Sequence, residues 1–275
     1  MKSKMTVGKI VLEIISLIFS IIFLIPIIWS LAVSLKPEGT KITNAFDWFK
    51  APYTFYNYPD VLLKSEVSIW FLNSIIVAII STILILLISS MAAYPIAKMN
   101  IPGKNFLYIF YLIGLIVPGE ATIVPLYITA NNLKLIDSYA GLILPTIAGS
   151  MNLIIMITFF KGIPNELIEA AKIDGAGSFS IYLKIILPLS KSVLFTVGIF
   201  AFIGSWNNYL WPLLCVTSGK MFTLPVGIPT FASTYTVDYV KPMTANMVAS
   251  IPAIIIYLIF EKRIVKGIAL SGIKG

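Results

Sequence analysis

The sequence predicts an all-α, polytopic membrane protein, and three observations carry that prediction. Of 275 residues, 58% are hydrophobic and only 12% are charged, where a soluble domain carries about 25% charged residues. The mean hydropathy is +0.94. Six apolar stretches, 10–35, 69–97, 106–129, 139–160, 189–217 and 243–260, each approach or exceed the ~20 residues that a spanning helix needs.

The first stretch follows Lys2, Lys4 and Lys9, as the basic end of a signal peptide would. Its apolar run is too long for one, and no small-residue cleavage site follows, so it reads as a retained first helix. Six spans place both termini on one side. With the N-terminus in the cytoplasm, thirteen basic residues fall inside and seven outside, the bias that orients membrane proteins. Five acids inside and seven outside then account for the whole net charge of +8. The charge therefore gives no motive for nucleic-acid binding.

Composition also removes several chemistries. There is no histidine, hence no imidazole acid–base group or metal ligand. A single cysteine, Cys215, excludes a disulfide framework within the chain and any cysteine-rich metal site. No Gly-x4-Gly-Lys-Ser/Thr stretch occurs, so the phosphate-cradling loop of an ATPase is missing. If transport is driven by ATP, another polypeptide hydrolyses it. No internal repeat is visible, which gives an inverted-repeat carrier little support. An enzyme inside the bilayer would want acids or histidines clustered at one depth. Apart from Glu120, the acids fall in loops or near the ends of spans.

Between the fourth and fifth spans, 165–188 is polar and helical in pattern. Asn165 reads as an N-cap, with Glu166 and Glu169 in the first turns, where the helix dipole favours acids. Leu167, Ile168 and Ala171 make a short apolar face. Gly175 ends the helix, because glycine accepts the left-handed conformation of a C-terminal cap. Phe179, Tyr182, Leu183 and Ile186 make a second amphipathic helix, after which Pro188 opens the next apolar stretch. Helix, tight turn, helix is either a docking surface or an interfacial pair lying on the bilayer.

The remaining features lie in loops and spans. Loop 36–68 is aromatic, with Phe46, Trp48, Phe49, Tyr53, Phe55, Tyr56 and Tyr58, as an interfacial belt or an external contact surface would be. The second span starts Phe71-Leu72-Asn73-Ser74 and carries small and hydroxyl residues. The sixth spaces Ala245, Ala249 and Ala253 four apart. Both patterns suit close helix packing. In the third span, Pro118, Gly119 and Pro125 break a regular helix around Glu120. Such backbone is tolerated only beside protein or a water-filled cavity, and Glu120 is either a pathway residue or an outer-interface one. The fifth span carries Trp206-Asn207-Asn208-Tyr209-Leu210-Trp211-Pro212. Its amides and rings suit a carbohydrate in a pore, or hydrogen bonding at a packed seam.

The run Glu169-Ala170-Ala171, three residues, Gly175, nine residues, Ile185-x-Leu187-Pro188 resembles the EAA loop of bacterial ABC importer permeases. Phe71 to Ser74 resemble that family too, and the stretch 116–135 and the Trp206-Asn207 pair resemble its carbohydrate branch. That branch usually follows its asparagine with an acid, and Asn208 stands there instead. The ending Gly272-Ile273-Lys274-Gly275 resembles the tail of maltose-type second permeases. The resemblance covers most of the chain from Phe71 onward.

It implies a MetI-like fold, with a first helix and outer loop over 1–68 and a permease core over 69–275. The core would contain the coupling loop 161–188 and a cytoplasmic tail 261–275. It implies a multi-pass subunit of a bacterial cytoplasmic membrane that forms half of the pathway for a sugar or oligosaccharide and binds no cofactor. ATP and magnesium belong to the partner ATPase. The implied partners are a second, different permease chain, two ATPase subunits, an extracytoplasmic solute-binding protein, lipid and sugar. Glu169, Ala170, Ala171, Asp174, Gly175 and Pro188 would serve coupling, and Gly272, Lys274 and Gly275 would reach the ATPase. Asn73, Glu120, Trp206, Asn207 and Asn208 would be pathway candidates. The rival expectation is an ion-coupled carrier or channel for a small polar solute.

Overall fold

The computed structural model describes residues 7–42, 44–231 and 238–272, and those residues form helices and loops with no strand. The helices run in order as α1 (Val7–Ser34), α2 (Asn57–Lys64), α3 (Val67–Lys98), α4 (Lys104–Ile116), α5 (Gly119–Asn132), α6 (Tyr139–Ile143) and α7 (Ser150–Lys161). Then follow α8 (Asn165–Ile173), α9 (Ser178–Ile181), α10 (Leu187–Leu189), α11 (Lys191–Trp206), α12 (Leu210–Cys215), α13 (Leu224–Gly227) and α14 (Val240–Gly272). The chain forms two compact units, 1–68 with 227–251 and 69–226 with 252–275.

In the first unit, α1 is apolar on every side and exposed along Ile10–Ile28, as a helix bathed in lipid is. Its C-terminal end is tied down by polar groups. Asn57 Nδ2 donates to the carbonyls of Ser34 (2.7 Å) and Lys36 (2.6 Å), and Ser34 Oγ meets Tyr58 OH at 2.8 Å. Lys36 is buried. Its ammonium donates to the Lys50 carbonyl and lies 4.1 Å from the centre of the Tyr53 ring. Burial pushes its pKa below the usual lysine value, while Asp47 pulls it back up. On α2 the Lys64 ammonium, 2.8 Å from Asp60, holds that carboxyl below the usual range.

In the second unit, α3 has Ala93, Tyr94 and Ile96 buried against Met156, Ile157 and Phe160 of α7. A second apolar cluster joins Val77 of α3 to Ala130, Leu142, Trp211 and Cys215.

Three helices are long and apolar enough to cross a bilayer unaided: Gly8–Ser34, Val67–Lys98 and Val240–Glu261. Three bent pairs pass the same test together, which makes up to six spans. The pair Lys104–Ile116 with Gly119–Asn132 turns by 104°. Proline disfavours the helical conformation at the residue before it, and Val117 before Pro118 is extended (φ −75°, ψ 117°). Pro125 lies inside α5 without a break.

The fifth predicted span needs correction. Instead of one helix over 189–217, a bent pair covers Ser178–Leu189 and Lys191–Trp206, turning by 79°. The chain leaves the helix after Trp206 and restarts as the short α12. Pro212 has no N–H and is accommodated in a first turn, where that donor is unsatisfied anyway. It therefore favours a new helix over continuation of α11.

Candidate functional site

The polar stretch folds as a hairpin, α8 followed by the run α9 to α10. Pro164 (φ −56°, ψ 134°) is the N-terminal cap, and Asn165 is the first helical residue rather than the cap. Gly175 has φ +80°. Its N–H donates to the Lys172 carbonyl (3.0 Å), and Ala176 N–H donates to the Ala171 carbonyl (2.9 Å). This pair of bonds is the Schellman closure. The spacing from Ala171 to Gly175 thus has a physical cause: the carbonyl that the closure must satisfy lies on Ala171.

Pro188 does not open a new segment. Helix continues through it to Leu189, and the break falls at Ser190. The residues before it, Tyr182–Ile186, form a π turn, with Leu187 N–H donating to the Tyr182 carbonyl. A proline ring collides with the carbonyl four residues earlier in a regular helix, and the wider π turn relieves that crowding.

One side of the hairpin is anchored. Ile168, Ile181, Tyr182 and Ile186 are buried in the core, and Tyr182 OH bonds to Ser90 Oγ of α3 at 2.7 Å. The other side is bare. Glu166, Glu169, Ala170, Lys172, Asp174 and Gly175 are exposed, while Ile173 at 87% and Phe179 at 64% exposure form apolar knobs at the tip. Phe179 and Leu183 therefore do not share the buried face of Tyr182 and Ile186.

Lys98, at the C-terminal end of α3, holds the base of the hairpin. Its ammonium donates to the carbonyls of Lys161 (3.2 Å) and Ile163 and to Asn165 Oδ1 (2.7 Å). A cation there also complements the C-terminus of α7. No sequence motif flags Lys98. A lysine ending a long apolar helix was the one available signal.

At the other end of α3, Asn73 is buried and fully engaged. Its Nδ2 donates to the carbonyls of Lys220 and Phe222, both at 2.8 Å, and its Oδ1 accepts from Tyr139 OH at 2.6 Å. Trp206 is buried, stacked on Phe202 (5.8 Å, 10°) and edge-on to Phe71 (5.8 Å, 81°). The fold therefore brings the start of α3 to the end of α11. Asn207 is exposed and Asn208 half-buried. Glu120 is exposed in the first turn of α5, just past the bend. Of the tail candidates, Gly272 ends α14, and Lys274 and Gly275 lie outside the described residues.

Nearby, Trp211 Nε1 donates to the Gly141 carbonyl at 2.9 Å. Asp137 Oδ1 accepts from the N–H groups of Thr217 and Ser218, both at 3.1 Å. Neither contact was flagged by the sequence. Among the described residues no group of His, Cys, Asp or Glu could hold a metal ion.

Long apolar helices, bent spans and a polar hairpin anchored on one side mark a multi-span membrane protein, and comparison with known proteins gives its class. Residues 85–269 match the family model for the binding-protein-dependent transport system inner membrane component. The chain belongs to that family and is a transport permease. It is 34% identical over 273 residues to the arabinooligosaccharides transport system permease protein AraQ of Bacillus subtilis (strain 168), covering 98% of this chain and 97% of that one. The trehalose/maltose transport system permease protein MalG of Thermococcus litoralis is 32% identical, with 97% of each chain covered. The diacetylchitobiose uptake system permease protein NgcG of Streptomyces coelicolor is 32% identical over 90% of this chain and 83% of its own. In fold, the chain matches a crystal structure of a bacterial ABC transporter involved in import of the acidic polysaccharide alginate. The TM-score is 0.84 at 20% identity, over 95% of this chain and 99% of that one.

Proposed function

We propose that this chain forms half of the translocation pathway of an ATP-driven importer for a sugar or oligosaccharide, and that the hairpin 165–188 couples it to a separate ATPase. The relatives' substrates, arabinooligosaccharides, trehalose/maltose and diacetylchitobiose, support the substrate class. The observation that carries the coupling role is the hairpin's two-sidedness. Buried Ile168, Tyr182 and Ile186 make it rigid with the core, while Ile173 and Phe179 stand exposed on a polar tip. Two apolar knobs beside acids at the tip of the hairpin suit a surface that another chain covers.

In this reading the bent pairs are single spans, which makes six, with both termini cytoplasmic. Glu169, Ala170, Ala171 and Asp174 face the ATPase, Gly175 sets the elbow, and Pro188 sets the exit of the second helix. Gly272, Lys274 and Gly275 extend to the same partner. ATP and magnesium are bound there, on two ATPase copies, and not on this chain. A different permease chain completes the pathway, and an extracytoplasmic binding protein delivers the solute. Glu120, Asn207 and Asn208 offer exposed or half-exposed polar groups to the pathway, with Trp206 as an aromatic wall and Asn73 tying the start of α3 to 220–222 and Tyr139 beside it. Closure of the ATPases draws two such hairpins together and rocks the bundles between inward and outward access.

The test is Gly175→Val. A left-handed conformation costs a side chain about 1–2 kcal/mol, more for a β-branched one, and the elbow should reshape. ATP-dependent uptake should fall while the chain stays in the membrane. Normal uptake in that variant sinks the coupling role. Transport that survives without ATP and follows an ion gradient points to a carrier instead.

A further inference from the structure

A cavity of about 470 Å³ opens between α3, α11 and α14 within the second unit. One stripe of α11 forms its floor: Lys191, Phe195, Gly198 and Phe202 are spaced at helical intervals. Leu86 of α3 and Phe260 of α14 form its sides. Gly198 keeps the floor low, since even a Cβ there would lie 3.4 Å from Leu86 Cδ1. Phe195 and Phe260 meet with ring centres 6.2 Å apart.

The chemistry of the wall is lopsided. The hydroxyl in the lining, on Thr82, is already bonded to the Ala78 carbonyl at 2.6 Å. Lys191 stands at one end of the stripe, exposed, and makes no ion pair or hydrogen bond among the described residues. An occupant therefore has a hydrocarbon body and one anionic group. The dimensions narrow it further. The eleven-residue rise from Lys191 to Phe202 is about 16 Å, close to half of a ~30 Å hydrocarbon core. The stripe is therefore about one leaflet long.

We propose that this cleft binds an anionic phospholipid, its acyl chain along the α11 stripe and its headgroup phosphate on the Lys191 ammonium. In the sequence, Lys262, Arg263 and Lys266 follow Phe260. On the proposed orientation this end faces the cytoplasmic leaflet, whose anionic lipids attract such residues. Lys191 is also the first helical residue after the break at Ser190, directly beyond the hairpin. A lipid held there would brace the joint between the hairpin and α11.

The test measures binding, so it does not depend on the transport reading. The full-length chain, with any partners it carries, is reconstituted in vesicles of equal phosphatidylglycerol and phosphatidylcholine with identical acyl chains. It is then extracted gently, and retained lipid is weighed by native mass spectrometry. Wild type should keep one phosphatidylglycerol in preference to phosphatidylcholine. Lys191→Gln, at an exposed site that does not endanger folding, should lower that preference about fivefold, the worth of one cation near the surface. Lys191→Arg should restore it, and Gly198→Leu should expel both lipids. Equal retention of the two lipids by wild type, or an unchanged preference in Lys191→Gln, overturns the proposal. So does cross-linking of Phe195→Cys to another polypeptide in the assembled transporter, because a protein then covers the cleft.

Discussion

The two ends of the second unit treat polar groups in opposite ways. Where α3 begins, Asn73 is closed in on itself, with both donors and its acceptor matched at 2.6–2.8 Å. Trp211, Gly141 and Asp137 add further internal bonds. Where α3 ends, Lys98 secures only the base of the hairpin, and beyond that base the acids, the glycine elbow and two apolar knobs face outward. One end is built to hold shape and the other to be touched. The difference lies less in composition than in where partners come from: within the chain at the first end, outside it at the second.

The largest effect should follow from crowding the closed end. A Cβ at Gly141 would lie 2.0 Å from the Leu135 carbonyl and 2.9 Å from Cys215 Sγ. Since backbone cannot yield as a side-chain tip does, Gly141→Ala should cost about 3 kcal/mol. Thermal unfolding in detergent checks this, and an unchanged midpoint would show that the 135–141 turn is more pliant than its packing indicates.

Next comes the seam between the two behaviours. Lys98→Met removes three hydrogen bonds at the hairpin base and should leave the protein folded but loosely coupled. ATP hydrolysis by the assembled transporter should persist while uptake per ATP falls on the order of tenfold. Lys98→Arg should recover part of the loss. A parallel fall in both rates would instead assign Lys98 to folding alone.

The smallest effect on the fold, and the sharpest on contact, should come from the tip. Ile173 is 87% exposed, so Ile173→Ser should change stability by no more than about 0.5 kcal/mol. It should still weaken co-purification of the ATPase. Intact co-purification would move the contact elsewhere on the hairpin.

Much of this was legible in the sequence. Bilayer-length apolar runs mark spans because backbone in lipid must satisfy itself as helix. The elbow at Gly175 was readable because only a few residues tolerate φ near +80°. Breaks inside apolar runs were harder. Pro118 and Pro125 look alike in sequence, yet only the first bends the chain, since the backbone around the second closes without its N–H. The end of α11 was hidden because 189–217 stays apolar across a gap made by Asn207, Asn208 and Pro212. Long-range clasps were invisible for a plainer reason. The partners of Lys98 lie 63 to 67 residues away, and those of Asn73 lie 66 to 149 away. Nothing local announces them.

The π turn at Tyr182–Ile186 has a consequence for register. A π turn behaves as one residue inserted into an α-helix, and each residue of an α-helix advances the face by about 100°. Upstream and downstream of it, the hairpin and the approach to Ser190 are therefore out of phase by roughly that angle. Deleting a single residue there would restore a regular helix and swing the tip around the helix axis relative to α11. The knobs would then face another way, and the crowding at Pro188 that the π turn relieves would return. In this chain the direction of the outward surface is held as a phase, and one residue is enough to reset it.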